Sequence, residues 1–257
     1  MNTICFVTTC SKNRRQAILA QRHLERQGIN YCFVYGHAPV NPVDPFVIFQ
    51  NCPESYAQLA YKTYNIIKYF IEETDNDYMF KIDEDTFTDF RALPEQVYRY
   101  DYGGTINYYE VRKGNKVPWR NFKLTEYSTD KSYFNLPNVS TADYATGGFY
   151  FLSRKAAEHI LSFPEEGFIN TPETYTSEDV KVGTLIATNK DLKVLDMTVK
   201  SSLNLEISTG YSSVHPTNPF IFPKLYNCKT IDERHTLLEQ YDFLNTYHKI
   251  NDHIEFT

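Results

Sequence analysis

The chain has 257 residues, 42% apolar and 23% charged, and a net charge of −6 from 26 Lys+Arg against 32 Asp+Glu. That composition is a soluble globular protein's, and its 21 Tyr, 18 Phe and one Trp are too many rings for a disordered chain. The acidic balance excludes a general nucleic-acid binder, which needs a basic face, and the lack of a run of about 18 apolar residues excludes a transmembrane helix.

At the N-terminus the apolar stretch precedes the basic residues of MNTICFVTTCSKNRR, the reverse of a signal peptide. Cys5, Cys10, Cys32, Cys52 and Cys228 are odd in number and form no CxxC, so neither a disulfide framework nor a zinc site is indicated. Buried free thiols in a reducing compartment are the expectation.

In chain order, Ile4 to Thr9 is a short apolar, β-rich run. Asn13 with Gln16 at capping-box spacing predicts a helix to about Gln27, stopped by Gly28. Tyr31 to Tyr35 reads as a second strand, and after a loop carrying Pro39, Pro42 and Pro45, Phe46 to Phe49 as a third. From Ser55 to Glu73, Leu59, Ala60, Thr63, Ile66, Ile67 and Phe70 recur at helical spacing. Asp75 to Asp77 is a turn before a strand at Tyr78 to Ile82. Further strands are predicted at Tyr102 to Tyr108, Ala145 to Leu152 and Leu192 to Met197. Helices are predicted from Ser153 to Ser162, from Thr176 or Ser177 to about Asn189, and over 231–248, with polar loop at 113–131 and irregular chain at 198–230. No repeat or composition break marks a linker.

This alternation implies a single α/β domain, with a Rossmann-like, mostly parallel sheet flanked by helices. Ligands of such sheets bind beyond the carboxyl ends of the strands. Directly after Ile82, at such a strand end, stand Asp83, Glu84 and Asp85. On an extended chain Asp83 and Asp85 point one way and Glu84 the other. Two same-side carboxylates suit manganese or magnesium, while an exposed acidic turn explains the same three letters. Glu178-Asp179 has two readings as well: a capping box from Thr176, or a carboxylate placed as a general base. Gly147-Gly148 is either a bulge or a place where backbone approaches a ligand. Arg14 and Arg15 come after the first strand, near a helix start where phosphate is welcome, or form a solvated basic turn. His215 precedes a proline, and a lone histidine is more often structural than a ligand. There is no GxGxxG, P-loop or GxSxG.

The blocks ESYAQLAYKT (Glu54 to Thr63), FKIDEDTF (Phe80 to Phe87), YGGTINYY (Tyr102 to Tyr109) with VPWRNFK (Val117 to Lys123), YATGGFYFLS (Tyr144 to Ser153) and SEDVKVG (Ser177 to Gly183) stand in one order. With NRRQAI (Asn13 to Ile18) at the start, they cover roughly residues 3–215. In that order the chain resembles glycosyltransferase family 31, the β-1,3-galactosyltransferase, N-acetylglucosaminyltransferase and Fringe-like group. In that family a DSYxNLxxKT helix precedes a KxDDD strand end, and YxxGxxYxLS and EDVxxG blocks come later in the chain.

The resemblance implies a GT-A fold, a nucleotide-sugar donor such as a UDP-sugar, a glycan or glycoconjugate acceptor, and inversion at the anomeric carbon. It assigns Asp85 to the metal, with Asp83 at the ribose or a metal-bound water and His215 as a further ligand. Glu84 replaces the family's middle Asp. Asp179 becomes the catalytic base, and Glu178 orients the acceptor or its loop. Thr8, Arg15 and Lys62 fall at the nucleotide end, and Gly147 and Gly148 by the donor sugar. Trp119 and tyrosines such as Tyr108 and Tyr109 are candidates to stack on acceptor sugars.

The resemblance divides the chain into a nucleotide-binding part over about 1–90, an acceptor-binding part over about 91–220, and a helical tail over about 221–257. Eukaryotic members carry an anchor and disulfides. This chain reaches its first strand almost at Met1, so a bacterial or viral enzyme of the cytoplasm, or peripheral at the membrane face, is expected. The alternative is a sugar-binding protein of the same fold without turnover. Asp85 together with Asp179 favours the enzyme.

Overall fold

A computed structural model describes residues 1–49, 51–84, 86–88, 90, 93, 95–107, 142–171, 176–197, 199–201, 206–207, 213–214 and 254–256. The first half is built of strand–helix units. β1 (Thr3–Thr8) is followed by α1 (Arg14–Gln27), β2 (Tyr31–Tyr35), β3 (Phe46–Ile48), α2 (Leu59–Glu73) and β4 (Tyr78–Asp83). The second half contains β5 (Phe87–Thr88), β6 (Tyr102–Asn107), β7 (Tyr144–Ser153), α3 (Arg154–Leu161), α4 (Glu178–Ile186) and β8 (Val194–Asp196). Short strands β9 (Val199–Ser201), β10 (Glu206–Ile207), β11 (Ser213–Val214) and β12 (Ile254–Phe256) complete the described elements.

Seven strands form one sheet in the order β3-β2-β1-β4-β7-β6-β8. Only β7 runs antiparallel to its neighbours. This is the α/β, mostly parallel, Rossmann-like sheet expected of a GT-A fold. Neighbouring residues of a strand face opposite sides, so Phe6 and Val7 enter different cores. On one side α1 brings Ala17, Ala20 and Leu24 against Val7, Phe33 and Phe80. On the other, α2, α3 and α4 bring Ile67, Ile160 and Val182 against Phe6, Met79 and Tyr150. Both faces are covered, which is why β1 and β4 read as apolar runs rather than alternating ones.

Several helix ends obey local chemistry. Gly28, at φ 67°, closes α1 as its N–H reaches Glu25 O and Ile29 N–H reaches Leu24 O. Ser55 Oγ accepts from Gln58 N at 3.3 Å before α2, and Ser153 Oγ from Ala156 N at 3.2 Å before α3. Asn13 departs from the expectation. A 3₁₀ turn at Ser11–Asn13 leads into α1, the Asn13 side chain caps nothing, and its Nδ2 donates to Glu84 Oε1 instead. A long-range partner across the cleft displaces the local one.

Strand order reverses at β1, which has β2 on one side and β4 on the other. Thr8 and Asp83, paired in register, are the carboxyl ends of β1 and β4 at this switch point, the position where open α/β sheets bind ligands. Beyond it, His23 and Gln27 of α1 donate to Thr88 O at 2.8 and 2.9 Å, and Gln27 accepts from Phe90 N. These bonds hold β5, which pairs with β11 so that Val214 faces Phe87. The predicted helix at 231–248 and the polar loop at 113–131 lie outside the described residues. Among those described, no helix is long and apolar enough to cross a membrane.

α4 packs on β7 at backbone distance. A Cβ on Gly183 would sit 2.3 Å from Tyr144 Cβ and 2.6 Å from Asp143 O, so only glycine permits the contact. Gly183→Ala is therefore expected to cost ~1–3 kcal/mol in urea denaturation, because overpacking pushes α4 off the sheet. Gly167→Ala, whose Cβ meets nothing within 4 Å, should change stability by less than ~0.5 kcal/mol.

Candidate active site

The site grows from the ends of β1 and β4. Glu84 N donates to Thr8 O at 3.2 Å, so the acidic turn continues alongside the end of β1. Glu84 is taken up by Asn13, while Asp83, on the opposite side of the strand, keeps about a third of its side chain exposed. The buried Lys62 of α2 donates to Thr9 O at 3.0 Å and Glu54 Oε1 at 2.9 Å. Glu54 Oε1 also accepts from Gly36 N. A Cβ on Gly36 would meet Cys52 O at 2.4 Å, so the chain after β2 passes tightly under the Glu54 segment. Lys62 thus ties together the chain leaving β1 and β2. Arg15 sits exposed in the first turn of α1.

The electrostatic centre is Lys81, which is fully buried in β4. Its Nζ donates to Asp83 Oδ1 and to Gly147 O, both at 2.6 Å, and lies 3.6 Å from Glu178 Oε1. Burial by itself would lower this lysine's pKa. Asp83 and Glu178 outweigh burial and hold it above the ordinary lysine value.

Glu178 is buried at the start of α4, and Tyr150 OH donates to its Oε1 at 2.7 Å. Burial raises its pKa to about 7 against the opposing pull of Lys81. Asp179, beside it, is half-buried. Its Oδ2 accepts from Gly147 N at 3.2 Å and its Oδ1 from Val180 N at 2.8 Å. Burial raises its pKa too, with those two N–H groups and Lys81 opposing.

The capping-box reading of Asp179 is not realised. Ser177 is the N-cap without a side-chain bond, and the Asp179 carboxylate is turned to β7. Gly147 is where that turn becomes possible. The β6–β7 register passes from Gly104 opposite Tyr150 to Ile106 opposite Ala145, so the β7 segment holding Gly147 and Gly148 bulges out of the ladder. A freed carbonyl then meets Lys81 and a freed N–H meets Asp179. A Cβ on Gly147 would lie 2.8 Å from Glu178 Oε2 and would push against that carboxylate.

The fold brings Asp83, Gly147, Glu178 and Asp179 together, with Gly148 next in the bulge and Thr8 and Glu84 at the adjoining strand end. Asp85, Trp119 and His215 lie outside the described residues. Val214, one residue before His215, pairs with Phe87, two residues after Asp85. Lys81, Tyr150 and Glu54 stand inside the blocks FKIDEDTF, YATGGFYFLS and ESYAQLAYKT, yet a reading of those blocks gives them no role. A signal existed for Lys81: a lysine inside the apolar run YMFKI of a strand covered on both faces needs a buried carboxylate partner.

The family model described as Galactosyltransferase matches residues 46–198, the stretch from the start of β3 to just past β8. The match covers more than half of the chain, and the chain belongs to this galactosyltransferase family, as the order of its motifs suggests. No curated protein matches it. Among solved structures it is similar to a glycosyltransferase involved in the glycosylation of the major capsid of PBCV-1, at 12% identity, a TM-score of 0.46, and 92% and 100% of the two chains covered. It is also similar to the galactosyltransferase LgtC in complex with donor and acceptor sugar analogs, at 10% identity, a TM-score of 0.48, and 95% and 99% covered. A third is A197 from STIV, at 19% identity, a TM-score of 0.33, and 69% and 83% covered.

The raised pKa of Glu178 has a consequence for folding. Between its usual value of 4.5 and about 7, the unfolded chain has lost this proton while the folded protein still holds it. Stability from this group is thus present below 4.5 and is lost as pH rises through about 7. Glu178→Gln should match the unaltered protein near pH 4.5 and exceed its stability by about 3 kcal/mol at pH 8, measured by urea denaturation at both pH values.

Proposed function

We propose that the protein is an inverting, divalent-metal-dependent glycosyltransferase that moves a sugar from a nucleotide sugar, a UDP-sugar, to a hydroxyl of a glycan or glycoconjugate. The observation that carries this reading is Asp179: a half-buried carboxylate with a raised pKa, anchored by Gly147 N–H beside the Lys81–Asp83 pair. A general base needs a fixed position, partial access and a pKa above that of a free aspartate, and Asp179 has all three.

In this reading Asp179 takes the proton of the acceptor hydroxyl as that oxygen attacks the anomeric carbon. The bond from that carbon to the diphosphate breaks on the opposite face, and the nucleoside diphosphate departs. One displacement inverts the configuration, so one base suffices, and charge develops on the sugar as in glycoside hydrolysis. Glu178, fixed by Tyr150 and Lys81, orients the loop or the acceptor next to the base.

Asp83, Asp85 and His215 are the residues that would hold a manganese or magnesium ion. Carboxylate oxygens suit a hard cation, and Asp83 keeps about a third of its side chain exposed at the end of β4. The pairing of β5 with β11 supports His215 as a further ligand, since it carries Val214 to Phe87. An ion held there would supply charge neutralisation for the departing diphosphate.

Thr8, Arg15, Lys62 and Glu84 belong to the nucleotide end, within about 1–90. The acceptor part spans about 91–220, with Gly147 and Gly148 by the donor sugar and Trp119 against the acceptor, and a tail completes the chain over about 221–257. A reducing, cytoplasmic setting, at or away from the membrane face, is supported by the free thiols of Cys5, Cys10, Cys32 and Cys52, three of them buried.

The test is a panel of nucleotide sugars with manganese, with and without acceptors. Release of nucleoside diphosphate coupled to transfer is expected, and release from no donor would falsify the reading. Asp179→Asn should keep donor binding and lose roughly 10²–10⁴-fold in transfer rate. Asp85→Ala should lose metal-dependent donor binding. The acid limb of the transfer rate should lie above the pKa of a free aspartate, because Asp179, raised by burial, must shed its proton to act.

A further inference from the structure

We infer that Lys81 is a positioning residue, which sets the base Asp179 against the acidic end of β4 by gripping Gly147 and Glu178. Its Nζ contacts three separate parts of the chain: Asp83 at 2.6 Å, Gly147 O at 2.6 Å and Glu178 Oε1 at 3.6 Å. Gly147 is held from both sides, its carbonyl by Lys81 and its N–H by Asp179 at 3.2 Å. A shift of the ammonium therefore moves the bulge and, through it, the carboxylate of the base. Glu178, the residue before Asp179, is held by the same ammonium and by Tyr150 at 2.7 Å. The acidic strand end and the base thus share one rigid, buried connector.

Packing gives no comparable reason for a lysine here. Its side chain has no exposed surface, and a methionine of similar shape fills such a place without desolvating a charge. The cation also confers direction. Two short bonds from one ammonium fix the Gly147 carbonyl relative to Asp83, across the point where β4 stops pairing with β7 at Ile82 opposite Phe149. No ladder bond can do so beyond that point.

The inference rests on the transferase reading, and steady-state kinetics separate the two. Lys81→Met is expected to lower kcat for transfer at least 100-fold and to leave the donor KM within threefold, with circular dichroism unchanged. Lys81→Arg, which keeps the charge, should recover at least tenfold of that loss. A Lys81→Met enzyme within threefold of the normal kcat overturns the inference. So does a loss carried in the donor KM, which would put Lys81 on the donor side through Asp83. Should Lys81→Met fail to fold, the double variant Lys81→Met/Glu178→Gln removes both buried charges and is compared with Glu178→Gln alone. A further tenfold loss in kcat is expected, because Gly147 and Asp179 have also lost their anchor, and equal rates overturn the inference. The unaltered protein is the control. If it transfers no sugar, the transferase reading falls and this inference with it, whereas an active control beside an unaffected Lys81→Met removes this inference alone.

Discussion

A buried ammonium must be surrounded by acceptors, and the neighbourhood of Lys81 is organised by that requirement. Asp83, the Gly147 carbonyl and Glu178 converge on it from β4, β7 and α4. Satisfying the lysine draws in more carboxylates than one cation balances. Burial raises the pKa values of Glu178 and Asp179, and neighbouring carboxylates add to that against the pull of Lys81. Burial thus creates the electrostatic character of the site as a by-product of satisfying one charge.

The sheet supplies the geometry that this charge exploits. Parallel strands on both sides of β1 open a crevice at the ends of β1 and β4, and the antiparallel β7 returns from beyond β4 with its bulge beside that crevice. An unbroken ladder would have engaged the backbone groups of Gly147 with β6. Because the ladder is interrupted, one group is available for Lys81 and the other for Asp179. Gly183 then lets α4 lie close enough to β7 for Asp179 to reach the bulge.

Much of this was legible in the sequence, and its gaps have physical reasons. β1, β2 and β4, with α1 and α2, could be read because a strand or helix between covered faces carries its burial pattern locally. The acidic triplet, the glycine pair and Glu178-Asp179 stood out as chemistry-bearing. Their bland alternatives could not be dismissed from spacing alone. Thr176 and Asp179 have capping-box spacing, yet Asp179 uses its oxygens on Gly147 and Val180. Asn13 has a capping residue's place, yet it reaches Glu84. Asn13 finds its partner far along the chain, and Asp179 divides its oxygens between the distant Gly147 and the adjacent Val180.

The sequence alone determined the order of strands and helices as far as β8, apart from the short β5, the position of the acidic turn at a strand end, and membership of a family whose motifs run in this order; the short β9, β10 and β11 fall where it predicts irregular chain. Those determinations come from patterns repeated within a few residues, where periodicity and side-chain chemistry act directly. Only the tertiary structure decided that Lys81 is the shared connector, that Gly147 serves two partners, and that the Asp179 carboxylate faces the sheet. Lys81 and Gly147 are 66 positions apart, and Gly147 and Asp179 are 32 apart. Contacts over such separations arise from how the sheet is closed, which no local pattern encodes.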